Sequence, residues 1–135
     1  GSPRISKKIK GVDRDQFPKR GNLNKFRKFI DEENLKKECF LTGIEISGTP
    51  SIDHVIPWSY MYSDDLWNLV YVLPNENSSK SNRLPNKKLI EKLKTRNIKL
   101  FKTLKKKGIN NKFTEELKLS IDNNYVEKFW IGFKG

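Results

Sequence analysis

The 135-residue sequence holds one histidine, His54, set in Ser51-Ile52-Asp53-His54-Val55-Ile56-Pro57-Trp58-Ser59. Histidine is the side chain whose unperturbed pKa lies nearest neutrality, so any imidazole proton transfer in this chain falls on one residue. Asp53 precedes it, Asn68 follows fourteen residues later, and Asn77 comes nine residues after that. Carboxylate and amide oxygens are hard ligands, suited to Mg²⁺ or Mn²⁺ that keep several waters. An imidazole beside such an ion can take a proton from water, and the ion can neutralise charge developing on a phosphate. Asp53 and Asn77 are therefore candidate metal ligands, His54 is the candidate general base, and Asn68 is a candidate to orient its ring. Asn75 competes with Asn77, but it follows Pro74 and reads as a helix cap. Asp64 and Asp65 read as residues that cap or brace a loop, one of them a candidate to support the site from behind.

These residues need elements to hold them. Residues 51–56 read as a strand ended by Pro57, residues 60–67 as a loop, and residues 69–73 as a second strand stopped by Pro74. A short helix is expected across about 76–83, where Asn77 and Lys80 share a face. Adjacent strand side chains point to opposite faces, so Asp53 and His54 converge only if the strand bends near Gly48 or Pro57. Upstream, Asn24 is expected to cap a helix over about 25–37 with Phe26, Phe29, Ile30 and Leu35 on its apolar side. Residues 39–43 turn the chain, and residues 44–46 form a short strand. Downstream, Leu89, Ile90, Leu93, Leu100, Phe101 and Leu104 make an apolar stripe on a helix over about 87–107 that ends at Gly108. Thr114 caps a last helix running through Trp130. Residues 1–20 read as a basic arm whose Gly1-Ser2 start resembles a cleavage scar, as in an excised piece. Residues 21–135 then form one domain, with the motif core at 39–85 and basic helices at 86–135.

The net charge of +12 predicts an anionic partner, most often nucleic acid. The charge is also segregated. Residues 38–77 hold no Lys or Arg and six acids, whereas 78–112 carry a net +12. The one acidic island thus contains the one histidine, with basic segments on both sides. Lys80, Arg83, Lys87, Lys88, Lys92 and Arg96 are candidate phosphate contacts. A single cysteine, Cys39, excludes an internal disulfide. No apolar run approaches the ~18 residues of a membrane span, and a cytoplasmic, bacterial or phage-type setting is expected.

Three stretches resemble the HNH endonuclease motif: Asp53 to Ser59, Asp65-Leu66-Trp67-Asn68-Leu69-Val70, and Asn77-Ser78-Ser79-Lys80-Ser81-Asn82. The spacing is similar to that of the HNH domain of RNA-guided CRISPR nucleases. The wording is closer to HNH proteins of bacterial restriction and defence systems. The resemblance covers about 39–85 and implies a ββα-metal fold. It implies that Asp53 and Asn77 bind the metal, that His54 activates water, that Asn68 bridges the loop and holds the histidine, and that Lys80 contacts the phosphate. Many members carry two Cys-x-x-Cys pairs that bind structural zinc. Here Thr42 stands three residues after Cys39, and Leu73 and Glu76 occupy the second pair's places. Zinc held by cysteines is therefore not expected, and Trp58, Trp67 and Tyr71 are expected to pack the core instead.

The expected architecture is α+β, a ββα-metal core flanked by N- and C-terminal helices. The expected activity is hydrolysis of phosphodiester bonds in DNA, with RNA as the other polymer, using one Mg²⁺ or Mn²⁺ per site. One metal site cuts one strand, so a duplex cut needs a homodimer, a second nuclease domain or a second visit. Two further readings stand beside this one. The chain is a basic nucleic-acid-binding module with an inactive core, or the cleavage module of a larger restriction or guide-directed enzyme.

Overall fold

The computed structural model describes residues 22–75 and 84–134. The expected helix at 76–83, with Asn77, Lys80 and Arg83, and the arm at 1–20 lie outside the described residues.

Asn22 accepts a hydrogen bond from the Asn24 backbone N–H at 2.9 Å and opens a 3-10 turn, Leu23–Phe26. That turn leads into α1 (Arg27–Glu33). The cap is therefore Asn22 rather than Asn24. The helix also stops at Glu33, short of the expected end, because Asn34 offers the backbone another solution. Its side chain bonds both the N–H and the C=O of Glu38, at 2.8 and 2.9 Å, a local competition that breaks helices. Leu35, expected on the apolar side, is 76% exposed, while Phe26, Phe29 and Ile30 are buried.

The next turn folds around Cys39. Its N–H donates to Ile44 O at 2.8 Å, and Gly43 N–H returns to Cys39 O at 2.7 Å. Gly43 sits at φ +78°, which glycine adopts without a Cβ penalty. A single bridge between Glu38 and Glu45 stands where a short strand over 44–46 was expected. Burial pushes the Cys39 thiol up, but hydrogen bonds from Thr42 and from the N–H groups of Leu73, Thr42 and Leu41 bring it to a net value below its ordinary one.

β1 (Ser51–His54) pairs antiparallel with β2 (Leu69–Val72), with Asp53 opposite Val70 and His54 opposite Leu69. All four residues of β2 are buried, as a β-branched apolar run with cover on both faces requires. A single helical turn, α2 (Trp58–Met61), follows β1 where the loop was expected. Tyr62 then reverses the chain at φ +55°, and a 3-10 turn, Leu66–Asn68, delivers it to β2.

α3 (Lys87–Lys106) is capped by Asn86, whose side chain accepts from Leu89 N–H at 2.9 Å. Its Ile90, Leu93, Leu100 and Leu104 are fully buried, and Gly108 at φ +74° ends it as expected. The expected last helix is two helices, α4 (Lys112–Asp122) and α5 (Tyr125–Lys134). Asn124 at φ +52° separates them. The α4 cap is Asn111, and Thr114 is its partner in a capping box rather than the cap itself. Trp67 is buried with its ring 5.6 Å from Phe129 and 6.1 Å from Tyr125. Trp58, expected in the core, is only half-buried and meets Tyr62 edge-on at 4.9 Å. The architecture is α+β: one antiparallel strand pair wrapped by helices. No helix of the described residues is long and apolar enough to cross a membrane.

Candidate functional site

β1 carries the two central residues at its C-terminal end. Burial alternates along it, so Asp53 is half-exposed and His54 is buried. The strand keeps this alternation through His54, and the chain bends only afterwards, at Val55 and Ile56. The carboxylate and the imidazole therefore leave the strand on opposite faces. The Oδ2 atom of Asp53 is shielded from solvent. The His54 Nε2 atom lies 2.8 Å from Asp64 Oδ1, with the two side chains 6% and 16% exposed.

Asn68 fixes the chain just beyond the histidine. It is fully buried in the 3-10 turn before β2. Its Oδ1 accepts the Ile56 N–H at 2.8 Å, and its Nδ2 donates to Ile56 O at 2.9 Å. Its backbone carbonyl accepts the Val55 N–H at 2.9 Å. The side-chain amide thus continues the sheet ladder past its last backbone pair, at a place where Pro57 has no N–H to offer. Among the bonds described here, Asn68 reaches the backbone of the residues after His54 rather than the ring.

α3 locks that turn from behind. Arg96 Nη1 donates to Leu69 O at 2.6 Å and Nη2 to Leu66 O at 3.0 Å. Arg96 Nε donates to Asn97 Oδ1 at 3.0 Å, and Asn97 Nδ2 donates to Trp67 O at 2.9 Å. Burial pushes the Arg96 guanidinium down to about 10, still charged at neutral pH, with attraction to Glu33 opposing the shift. Arg96 was expected to touch phosphate, and this corrects that expectation. The side chain is 7% exposed, and its donors are committed to carbonyls of the turn that carries Asn68.

The remaining α3 candidates differ in their surroundings. Lys92 Nζ donates to Phe40 O and lies over the Phe40 ring at 4.7 Å. Lys87 pairs with Glu127 at 3.6 Å and with Glu91 at 4.0 Å, and sits 5.9 Å from the Trp130 ring centroid. Lys88 is exposed. Asn97 and the structural use of Arg96 were not assigned from sequence, and Asp64 was singled out only as one of a pair with Asp65. Asp64 lies ten residues from His54 in a loop without periodicity. Arg96 and Asn97 did leave a signal, since they interrupt the apolar stripe between Leu93 and Leu100.

Among the described residues no group of three or more His, Cys, Asp or Glu side chains could hold a metal ion. The donor set available on β1 is one hard carboxylate, half-exposed with a shielded oxygen. That chemistry fits a cation such as Mg²⁺ or Mn²⁺ that retains most of its waters, and does not fit a four-ligand zinc centre.

The strand pair thus carries Asp53 and His54 at the end of β1, and Asn68 pins the turn that follows. Residues 42–86 match the family model described as HNH endonuclease. The match begins at Thr42 in the Cys39 turn and ends at Asn86, the α3 cap. HNH nucleases act on nucleic acids and are typically metal-dependent. No curated protein matches the chain.

Proposed function

We propose that this chain is a metal-dependent endonuclease that hydrolyses phosphodiester bonds in DNA, with residues 21–135 acting as one HNH unit. The observation that carries the reading is the Asn68 clamp on Ile56, which holds the end of β1 so that Asp53 and His54 present a constant geometry. Positioning of this kind is where much of an enzyme's rate advantage lies.

His54 takes a proton from water as general base, and the resulting hydroxide oxygen attacks phosphorus while the bond to the leaving sugar oxygen breaks. In-line displacement puts the attacking and leaving oxygens on opposite sides of phosphorus. Asp53 and Asn77 hold one Mg²⁺ or Mn²⁺, which when bound neutralises charge on the phosphate and leaving group. Lys80 contacts the same phosphate. Arg83, Lys87, Lys88 and Lys92 grip the backbone, which favours binding over base reading. The unit serves as the cleavage module of a larger restriction or defence enzyme, or acts as a homodimer where both strands are cut.

Plasmid nicking tests the reading. With Mg²⁺ or Mn²⁺ the protein converts supercoiled plasmid to the nicked form, and EDTA abolishes this. His54→Ala lowers the rate by about 10²–10⁴-fold, the usual contribution of a general base. Cleavage that persists undiminished in His54→Ala removes the general-base assignment. DNA binding without cleavage under either metal favours a binding module with an inactive core.

A further inference from the structure

We infer that Asp64 is a positioning residue for His54: it holds the imidazole as the Nε2–H tautomer, so that Nδ1 is the nitrogen that takes the proton from water. This rests on the nuclease reading only for the use to which Nδ1 is put. The geometry stands by itself. His54 Nε2 and Asp64 Oδ1 are 2.8 Å apart. A carboxylate is acceptor-only, so the proton in that contact belongs to the ring nitrogen. A neutral imidazole carries one N–H, and the other nitrogen then carries the lone pair.

The contact is also built rather than incidental. The His54 and Asp64 side chains are 6% and 16% exposed, so water competes weakly for either. The chain holds Asp64 from both sides. Tyr62 reverses it at φ +55°, a conformation that non-glycine residues adopt only where their surroundings enforce it. Ser63 Oγ donates to Asp65 Oδ2 at 2.7 Å, and Asn68 N–H donates to Asp65 O at 2.9 Å. Asp64 is thus carried on a loop tied to the same asparagine that fixes the end of β1. When His54 takes a proton, the ring becomes a cation facing a carboxylate, and no side chain has to move to meet the new charge. Asp64 touches neither substrate nor metal in this scheme and acts through the ring.

The single histidine makes the test direct. In the uniformly ¹⁵N-labelled 135-residue chain, long-range ¹H–¹⁵N correlation reads one imidazole, with the ring neutral. Nε2 is expected to carry the proton in the native protein. In Asp64→Asn, which is nearly isosteric and preserves the fold, the amide can donate as well as accept, so the Nε2–H tautomer loses its dominance. Plasmid nicking in the same variant is expected to fall by roughly 10²–10⁴-fold in kcat, with KM changed less than about threefold. A second variant, Asp64→Glu, restores an acceptor-only partner and recovers part of the tautomer bias. An Nδ1–H ring in the native protein, or a tautomer and kcat unchanged in Asp64→Asn, overturns the inference. The tautomer needs no turnover to be read. A protein that never cleaves but shifts tautomer with Asp64 removes the nuclease reading and keeps the positioning. One that cleaves with a tautomer indifferent to Asp64 does the reverse.

Discussion

The Asn68 side chain donates to and accepts from the backbone of Ile56, both residues fully buried, and its Nδ2 also reaches Met61 Sδ at 3.6 Å. Truncating it to alanine leaves a buried N–H and a buried C=O without their partner. Each such group costs about 1–3 kcal/mol, so Asn68→Ala is expected to lose about 2–5 kcal/mol in urea unfolding. Asn68→Asp keeps the acceptor and loses the donor, and is expected to cost about half as much. A variant as stable as wild type rules out the clamp. The motif spacing marked Asn68 as the residue that bridges the loop, and that much was legible in the sequence. Its target was not, because a side-chain amide bonding to backbone leaves no pattern in the residue it bonds to. Asp64 was harder still. The nine residues between it and His54 include a left-handed residue and a single helical turn, and nothing in their spelling gives the loop's return path.

Helix α3 shows how far periodicity reaches. The stripe of leucines and isoleucine gave its extent nearly to the residue, and Gly108 gave its end. The charge-rich remainder was read as one surface, yet Arg96 faces the interior at a position the stripe skips. Burying a guanidinium is costly unless its donors are satisfied, and the carbonyls of Leu66 and Leu69 are the acceptors it needs. Arg96→Met is expected to destabilise the protein by about 2–4 kcal/mol, because those carbonyls lose their donors. Lys88→Ala is expected to change stability by no more than about 0.5 kcal/mol, while lowering the slope of log affinity for DNA against log salt by about 0.9. Urea unfolding and salt-titrated DNA binding separate the two roles. Equal stability losses in both variants would put Arg96 back on the surface. The helix boundaries that sequence missed share one cause. Asn34 and Asn124 redirect the chain through a side-chain bond or a left-handed backbone at positions where a longer helix had been read through, and Asn111 caps a helix ahead of the expected Thr114.

Across the whole molecule, part of the positive charge is answered internally. Lys107 pairs with Glu32 at 2.6 Å, Lys99 with Glu33 at 3.6 Å and Lys94 with Glu127 at 2.8 Å, so α3 is tied to α1 on one side and α5 on the other. Exposed pairs of this type contribute between about 0 and 1 kcal/mol each, which sets orientation more than stability. Composition alone could not divide the lysines in this way, since pairing depends on which helices end up adjacent. The hydrogen bond from Lys94, with its charge and that of Lys87, holds the Glu127 carboxyl below the usual carboxylate range. A carboxyl lowered on folding favours the folded state above its unfolded pKa, and this contribution is lost as pH falls through the folded value. Glu127→Gln is therefore expected to be less stable than wild type near pH 7, with a smaller difference at a pH below the ordinary carboxylate range. Urea midpoints at the two pH values check this, and a constant gap would contradict it.

The Arg96–Asn97 clamp has a consequence for how such a site is inherited. The matched segment stops at Asn86, yet the carbonyls of Leu66, Trp67 and Leu69 find their donors ten or more residues beyond it. A cassette cut at the motif's edges would leave those carbonyls buried and unanswered, beneath the turn that holds the end of β1. Recombination or grafting between proteins conserves the chemistry only when α3 travels with the motif. The unit of transplantation is longer than the unit of recognition, and its hidden boundary is drawn by a buried guanidinium.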